Sequence, residues 1–364
     1  MMEKEPVAAW VVDDTGFVKK GTRSVGVARQ YCGQVGKQEN CRVAVSLSVT
    51  TKTVSVPVAW RLYLPESWAQ DEERREQAGV PEEISFEIRP AIALKQIRGA
   101  VEEGIPTAPV LGDAGYGNDT QFREGVTALG LLYVLGVTSS TTVWKPGEGP
   151  LPKKAWSGRG QPPKRLRRDA KHRPISLLAL AQGLPERAWK SITWRPGTKG
   201  RLRSRFAAVR VRPAHRDEKR TEPRPEEWLL IEWPMGEAEP TKYWLSTLST
   251  ETQLRDLVFL AKLRWIIERD YEELKQELGL GHFEGRGWRG FHHHATLCIA
   301  AYGFLVAERS RFSPSARSGQ LGISVPQIPA HFRPRGAARP QRAAPSVVDR
   351  DVAHDDRANF AAPP

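Results

Sequence analysis

The chain has 364 residues, a formal net charge of +13 at neutral pH and a pI near 9.8. This length predicts about two domains with room for a substantial core, and the 40% of apolar residues argues against a disordered chain. No run of about 18 apolar residues is present and no apolar leader follows Met1, so the sequence predicts a protein that is neither membrane-embedded nor visibly secreted. Its three cysteines lack metal-binding spacing, which argues against a zinc site or a disulfide scaffold.

The first 140 residues alternate between strand-like and helix-like patterns. Apolar and β-branched runs predict strands at 7–13, 42–50, 54–64, 108–112 and 131–137. Helices are predicted at 81–103, where Pro81 and two acids mark a start, and at 119–129, with Asn118 or Asp119 as the cap. This mixture predicts the α/β class, with a mixed sheet flanked by helices.

A strongly basic segment follows. Residues 145–220 contain 22 Lys and Arg against five Asp and Glu, so this segment carries +17 and the rest of the chain −4. Such a concentration favours a polyanion-binding surface, although the Pro- and Gly-rich composition also fits a solvated linker. Aromatic residues that could stack on bases are interleaved with the charges: Trp144, Trp156, Trp189 and Trp194.

The remaining elements return to helix. A helix is predicted near 175–189 within the basic segment, and strands at 205–212, 228–233 and 242–247. Longer helical patterns occupy 251–279 and 291–309. From residue 310 the chain is rich in Pro, Arg, Ala and Ser and has no periodicity, which predicts a flexible tail.

Acidic side chains stand at three places that a fold could bring together. Asp13 and Asp14 end the first strand, Asp113 ends a later strand, and Glu268 lies on helix 251–279. Carboxylates at the ends of neighbouring strands can meet at one sheet edge, and a helix packed over that edge can add a third. Three carboxylates without Cys or His suit Mg²⁺ or Mn²⁺. Two such ions can activate the attacking oxygen and stabilise the leaving oxygen in phosphodiester cleavage.

The helix that contains Glu268 has a line of charge along the margin of its apolar face. At about 100° per residue, Arg264, Glu268, Tyr271 and Lys275 share one stripe. This line could place cations beside a catalytic carboxylate. Arg264 and Glu268 also have the i, i+4 spacing of an ordinary helix salt bridge, so both interpretations stay open.

These motifs together resemble insertion-sequence transposases of the DDE endonuclease superfamily, whose catalytic core is RNase H-like. Asp113-Ala-Gly-Tyr matches their Asp-x-Gly-Tyr motif, and Arg264, Glu268 and Lys275 match the R, E and K of the Y-R-E-K signature. The resemblance covers about residues 7–308 and includes the segments VVDDTGFVKKG, SVGVARQYCGQ and LKQELGLGHFEGRGWRGFHHH. The tyrosine of the signature is replaced by Ala261, although Tyr271 lies on the same stripe.

The resemblance implies a role for each matched residue. Asp13, Asp113 and Glu268 would bind two Mg²⁺ or Mn²⁺ ions, while Arg264 and Lys275 would contact the DNA phosphate near the cut. Asp13 is favoured as the first ligand because it fits an Asp-x-Thr pattern, and Asp14 is the alternative. Further DNA contacts are expected at Tyr271, Lys164, Arg165, Arg167, Arg168 and Trp194.

The implied activity is metal-dependent cleavage and transfer of DNA strands by a transposase. Its partners would be double-stranded DNA, at inverted-repeat ends and at a target, and a second copy of the chain on that DNA. The location would be the bacterial cytoplasm, on the nucleoid. Relatives carry a DNA-recognition region before the first catalytic strand, and we expect this chain to lack it. The alternatives are a metal-dependent nuclease without strand transfer and a truncated, non-catalytic DNA-binding remnant.

The same match divides the chain into four parts. The first part of the RNase H-like core, with both aspartates, is predicted at 1–143, and a basic β-rich insertion at 144–250. The helical end of the core, with Glu268, is predicted at 251–309 and the flexible tail at 310–364.

Overall fold

The computed structural model of the protein describes residues 5–197 and 200–311. Its strands are β1 (Ala9–Val18), β2 (Ala28–Cys32), β3 (Lys37–Thr50), β4 (Ser55–Leu62), β5 (Val110–Gly112), β6 (Tyr133–Val137), β7 (Thr142–Trp144), β8 (Ile175–Ser176), β9 (Lys190–Gly197), β10 (Gly200–Pro213), β11 (Glu227–Trp233) and β12 (Lys242–Ser246). Its α-helices are α1 (Glu66–Ala69), α2 (Glu72–Gln77), α3 (Arg89–Glu102), α4 (Ala114–Gly117), α5 (Thr120–Ala128), α6 (Leu177–Gln182), α7 (Leu254–Leu263), α8 (Trp265–Gln276) and α9 (Trp288–Arg311). The predicted tail lies outside the described residues, apart from the two that end α9.

The first half of the chain forms an RNase H-like sheet. β3 pairs antiparallel with β1 on one side and with β4 on the other. β5 then pairs parallel with β1, and β6 parallel with β5. The order β4-β3-β1-β5-β6, with only β3 running against its neighbours, confirms the predicted fold class.

Strands from residues 142–246, in and around the basic segment, extend this same sheet. β12 pairs with β6, followed by β11 and β10, and β10 also pairs with β9 and β7. The described strands therefore belong to one continuous twelve-stranded sheet. The division of the chain at residues 143 and 250 remains a prediction.

Apolar side chains cover both faces of β1. Val11 and Phe17 pack in one cluster with residues of α7, α8 and α9. Trp10 and Val12 pack in another with residues of α3 and α5. This division follows from the alternation of side chains along a strand, and it sets the two faces on which neighbouring acids can lie. No helix among the described residues is long and apolar enough to cross a bilayer.

Several predicted helices are shorter than their patterns suggested, and four of the described strands were not predicted. The helix expected at 81–103 begins at Arg89, since Pro90 fits only the first turn of a helix. The helix near 175–189 ends before Pro185 and is followed by a short 3₁₀ turn. The helix expected at 251–279 is divided into α7 and α8, which meet at Arg264. The sequence pattern did not identify β2, β7 or β9, and it assigned β8 to the helix near 175–189.

The backbone of α4, directly after β5, lies very close to that of β6. A Cβ added at Gly117 would overlap the carbonyl oxygen of Gly136. We therefore expect Gly117→Ala to lower the free energy of unfolding by about 3 kcal/mol, measured by urea titration. Gly99→Ala is the control, because nothing lies within 4 Å of its added Cβ in α3. That change should be neutral or stabilising by up to about 1 kcal/mol, and equal stabilities would contradict the close approach.

Candidate active site

Two aspartates from distant parts of the sequence are neighbours at the end of the parallel strand pair. Val11 pairs with Leu111 between β1 and β5, and continuing this register by two residues brings Asp13 beside Asp113. Asp113 also caps α4, since its Oδ1 accepts a hydrogen bond from the Gly115 amide at 2.9 Å. The cap holds the Asp113 carboxylate in a fixed position beside β1.

Arg264 connects this pair of acids to the helical end of the chain. Its Nη1 lies 2.8 Å from Asp13 Oδ1, and 30% of the arginine side chain and 15% of the aspartate side chain are exposed. The charge of Asp13 raises the pKa of Arg264 against the effect of burial, and the charges of Asp113 and Glu268 raise it further. Asp13 therefore contacts the guanidinium directly, and Asp113 and Glu268 are near enough for their charges to act on it.

The Asp13 carboxyl is held in an unfavourable environment for its charge. Burial raises its pKa to about 7, and the negative charges of Asp113 and Asp14 add to this effect while Arg264 opposes it. One guanidinium thus offsets only part of the negative charge that these acids carry when ionised. Such a cluster favours the binding of a further cation near the acids, or of an anionic group such as a phosphate at Arg264.

Asp14 lies on the opposite face of β1 and has its own partners. Arg89 Nη1, at the start of α3, is 2.5 Å from Asp14 Oδ2, and the Tyr116 hydroxyl donates to the other oxygen. Burial raises the pKa of Asp14, and Arg89 opposes that effect. These contacts favour Asp13 as the carboxylate that shares a site with Arg264, and the choice between the two as a metal ligand stays a prediction.

The partners of Asp14 differ in how visible they are in the sequence. Tyr116 is the tyrosine of the Asp-x-Gly-Tyr motif, so the motif contained it, but its contact with Asp14 could not be inferred from spacing. Arg89 has no sequence signal, because it follows the acid by 75 residues and opens an ordinary amphipathic helix. Both residues hold the acid-bearing strand from the side of α3.

Lys275 reaches the same strand from α8. Its Nζ donates to the Gly16 carbonyl at 2.9 Å and lies 5.0 Å from the centre of the Phe17 ring. Burial lowers the pKa of Lys275 to about 8, and the charge of Asp13 opposes that effect. A cation is therefore kept, at some cost in solvation, close to the acidic cluster.

The two other residues of the predicted stripe differ in exposure. Glu268 is exposed and acts on Arg264 through its charge. Tyr271 is buried, and its hydroxyl is hydrogen-bonded to the Ser46 hydroxyl in β3. As placed here, Tyr271 supports the packing of α8 on the sheet and offers little surface to DNA.

The donor chemistry of Asp13, Asp113 and Glu268 fits a hard divalent cation, since the three side chains provide oxygen donors and negative charge. Among the described residues, however, no three His, Cys, Asp or Glu side chains are close enough together to hold one metal ion. Arg264 lies against the Asp13 oxygen that such an ion would use. The cluster is therefore closed around an arginine in this conformation.

The predicted DNA contacts of the basic segment fall into two groups. Lys164 and Arg165 are exposed. Arg167 and Arg168 are half-buried and make contacts within the protein. Arg167 Nε donates to the Pro152 carbonyl at 2.9 Å. Arg168 Nε donates at 2.8 Å to the buried Asp217.

Trp194 is half-buried in β9 and packs against the protein. Its ring meets Phe206 edge-on with 5.7 Å between centroids, and Lys262 Nζ lies 4.5 Å from its centre. The ring also lines a small cavity of about 130 Å³ with Lys52 and Trp265, at the junction of β9 and α7. Its predicted contact with DNA remains a prediction.

Comparison with known proteins gives a match over the acid-bearing half. Residues 1–201 match the profile of a family described as DDE superfamily endonuclease. A probable transposase for insertion sequence element IS701 from Microchaete diplosiphon is 30% identical over 131 residues, or 36% of this chain. Those residues make up 32% of that protein, so the chain spans about a third of its relative's length.

Among solved structures, the NurA nuclease from Sulfolobus solfataricus aligns over 84% of this chain and 86% of its own. The identity is 8% and the TM-score 0.27, a similarity too low to support any conclusion. The family profile carries the assignment, because its range includes Asp13, Asp14 and Asp113 and covers more than half of the 364 residues. The chain belongs to the DDE superfamily of endonucleases.

Proposed function

We propose that the chain is the catalytic core of a transposase that cuts DNA strands and joins them to a target. The observation that carries the proposal is the ion pair between Asp13 and Arg264, whose guanidinium also experiences the charges of Asp113 and Glu268. The family match ends at residue 201, so the proposed role of Glu268 rests on its position in α8 and on the effect of its charge on Arg264. The similarity to a probable transposase supports strand transfer in addition to cleavage.

Enzymes of this superfamily generally use divalent ions. Bound by the three carboxylates, two Mg²⁺ or Mn²⁺ ions would activate the attacking oxygen and stabilise the leaving oxygen. Asp113 contributes a carboxylate already oriented by its helix cap, and Asp13 contributes one from the rigid centre of the sheet. Arg264 releases Asp13 as the site fills and donates to the phosphate being cut. Lys275 adds a second positive charge on the same side.

The partner in this proposal is double-stranded DNA, both at the inverted repeats of an insertion sequence and at a target. Bringing two ends together requires two catalytic cores, so we propose that the chain acts as a homodimer on DNA. The basic segment supplies the charge for holding the duplex, since 22 of the 55 Lys and Arg residues fall between 145 and 220. Binding should therefore weaken steeply with added salt.

The proposal predicts which carboxylates are needed for cleavage. Asp113→Asn and Glu268→Gln should each lower Mg²⁺- or Mn²⁺-dependent nicking by about 100-fold or more, in the range for loss of one transition-state contact. The assay uses a supercoiled plasmid that carries the inverted repeats flanking the gene. An asparagine can cap a helix as an aspartate does, so Asp113→Asn keeps the start of α4 and the fold. Glu272→Gln, at another exposed position of α8, is the matched control and should cut at the wild-type rate.

The outcomes separate the alternatives. Normal nicking by Asp113→Asn would contradict the site. Nicking by the wild type without joined products would favour a nuclease that lacks strand transfer. A wild type that binds the repeats but never cuts them would favour a non-catalytic DNA-binding remnant.

A substitution at Lys275 should have opposite effects on the free energy of unfolding and on DNA nicking. The pKa of Lys275 in the folded protein, about 8, is below the value of about 10.5 in an unfolded chain. The folded state therefore binds fewer protons in this window, so the wild-type stability should fall as the pH drops from about 10.5 to about 8. We expect Lys275→Met to remove this decline and to raise the stability at pH 7, while lowering nicking.

Urea unfolding between pH 7 and pH 10 measures the stability, and the plasmid assay measures the activity. The control is Lys20→Met, at an exposed position after β1, which should change stability by less than about 0.5 kcal/mol. A less stable Lys275→Met protein with normal nicking would show that Lys275 is a structural residue only.

A further inference from the structure

One tryptophan of the basic segment differs from the others in its exposure. Trp144 and Trp189 are buried and Trp194 is half-buried, whereas 55% of Trp156 is exposed. Its Nε1 donates to the Gly160 carbonyl at 3.1 Å. Because the indole N–H is already hydrogen-bonded within the protein, the exposed ring offers its apolar surface to a partner.

Trp156 lies on a closed loop, residues 152–166, which we call the tryptophan loop. At its base, Leu151 and Arg167 exchange backbone hydrogen bonds, each 2.9 Å long. Leu166 is buried, and its amide donates to the Arg220 carbonyl at 3.1 Å. Glycines with positive φ at 158 and 160 shape the turn that carries the indole. The loop is thus anchored at its base, and the ring is oriented before any partner arrives.

The charge of the tryptophan loop has one sign. It contains no Asp or Glu and five exposed cations: Lys153, Lys154, Arg159, Lys164 and Arg165. No described acidic side chain lies within ion-pair distance of these five. Positive charge that is not neutralised within the protein, around an exposed aromatic ring, is complementary to a polyanion with stacked bases.

The strand that precedes the loop is separated from the acid-bearing strands by several others. This strand, β7, is five strand steps from β5 in the order β5-β6-β12-β11-β10-β7. At about 4.8 Å per step, this path measures about 24 Å along the sheet. A DNA duplex rises about 3.4 Å per base pair, so the separation of these two strands corresponds to about seven base pairs.

We propose that the tryptophan loop is a second DNA-contact site, separate from the phosphate that is cut. Its cations bind backbone phosphates, and the Trp156 indole enters a base step of the duplex as a wedge that bends the DNA. Apolar wedges of this kind unstack one step and kink a duplex by about 20–90°. The inference rests on the proposed function, which supplies duplex DNA as the partner.

The test uses the full chain, a 40-bp duplex with a fluorophore at each end, and no divalent metal, so that cutting is absent. Anisotropy reports the affinity, and energy transfer between the ends reports bending. The wild type should bind and bend the duplex. Trp156→Ala should bind about tenfold more weakly, equivalent to about 1.4 kcal/mol, and leave the DNA straight. Trp156→Phe should keep most of the bend.

A charge variant is the matched control. Lys153→Gln/Lys154→Gln should reduce the slope of log affinity against log salt by about two, at about 0.9 per phosphate contact, and should keep the bend. All of these positions are exposed, so the variants should melt at the wild-type temperature.

If Trp156→Ala binds and bends the duplex as the wild type does, the proposed role of the loop is wrong, while the proposed function still stands. The same holds if single-stranded DNA, RNA or anionic vesicles compete better than unlabelled duplex and Trp156→Ala abolishes that competition. A wild type that binds no duplex at all would overturn the proposed function as well.

Discussion

The ion pair between Asp13 and Arg264 links the sheet to the helical end of the chain. Asp13 comes from the central strand, and Arg264 stands where α7 and α8 meet. Breaking such a pair by removing one partner leaves a largely buried charge unpaired, which is costly. The pair therefore holds the junction of the two helices over the strand ends, and with it the stripe that carries Glu268 and Lys275. Apolar packing and the contacts of Tyr271 with Ser46 and of Lys275 with Gly16 also hold α8 on the sheet, and the ion pair adds a direct contact between Asp13 and the junction of the helices.

The central strand is held from both faces by the same kind of contact. Asp13 meets Arg264 on the side of α8, and Asp14 meets Arg89 and Tyr116 on the side of α3. Because side chains alternate along a strand, the adjacent residues Asp13 and Asp14 must lie on opposite faces of β1. This gives two neighbouring acids different environments: one shares an arginine with two further carboxylates, and the other is enclosed by a tyrosine and an arginine of its own. The environment of Asp13 suits a carboxylate that can exchange Arg264 for another cation, and that of Asp14 suits a carboxylate with a structural role.

The sequence predicted the parts of the site that depend on local pattern. Short apolar runs that end in an acid located Asp13 and Asp113, and helical periodicity placed Glu268 beside Arg264 and Lys275. The break at Arg264 had no signal, because the apolar period continues across it. The partner of Asp14 had none either, since Arg89 is distant in sequence and its helix start looks like many others. The ion pair of Arg168 with Asp217 was missed for the same reason, so a side chain expected on DNA lies half-buried inside the protein.

Long-range strand pairing was the other part that local pattern could not supply. The strands β10, β11 and β12 were recognisable by their residues, yet nothing in them showed that β12 would pair with β6 and continue the sheet of the acidic half. That continuity places the strands in and around the +17 segment of residues 145–220 in the same sheet as the acid-bearing strands. Electron paramagnetic resonance of bound Mn²⁺ tests whether Asp13, and not Asp14, shares a cation site with Asp113 and Glu268. We expect Asp14→Asn to bind Mn²⁺ like the wild type and a folded Asp13→Asn not to bind it. Binding retained by Asp13→Asn and lost by Asp14→Asn would contradict this assignment.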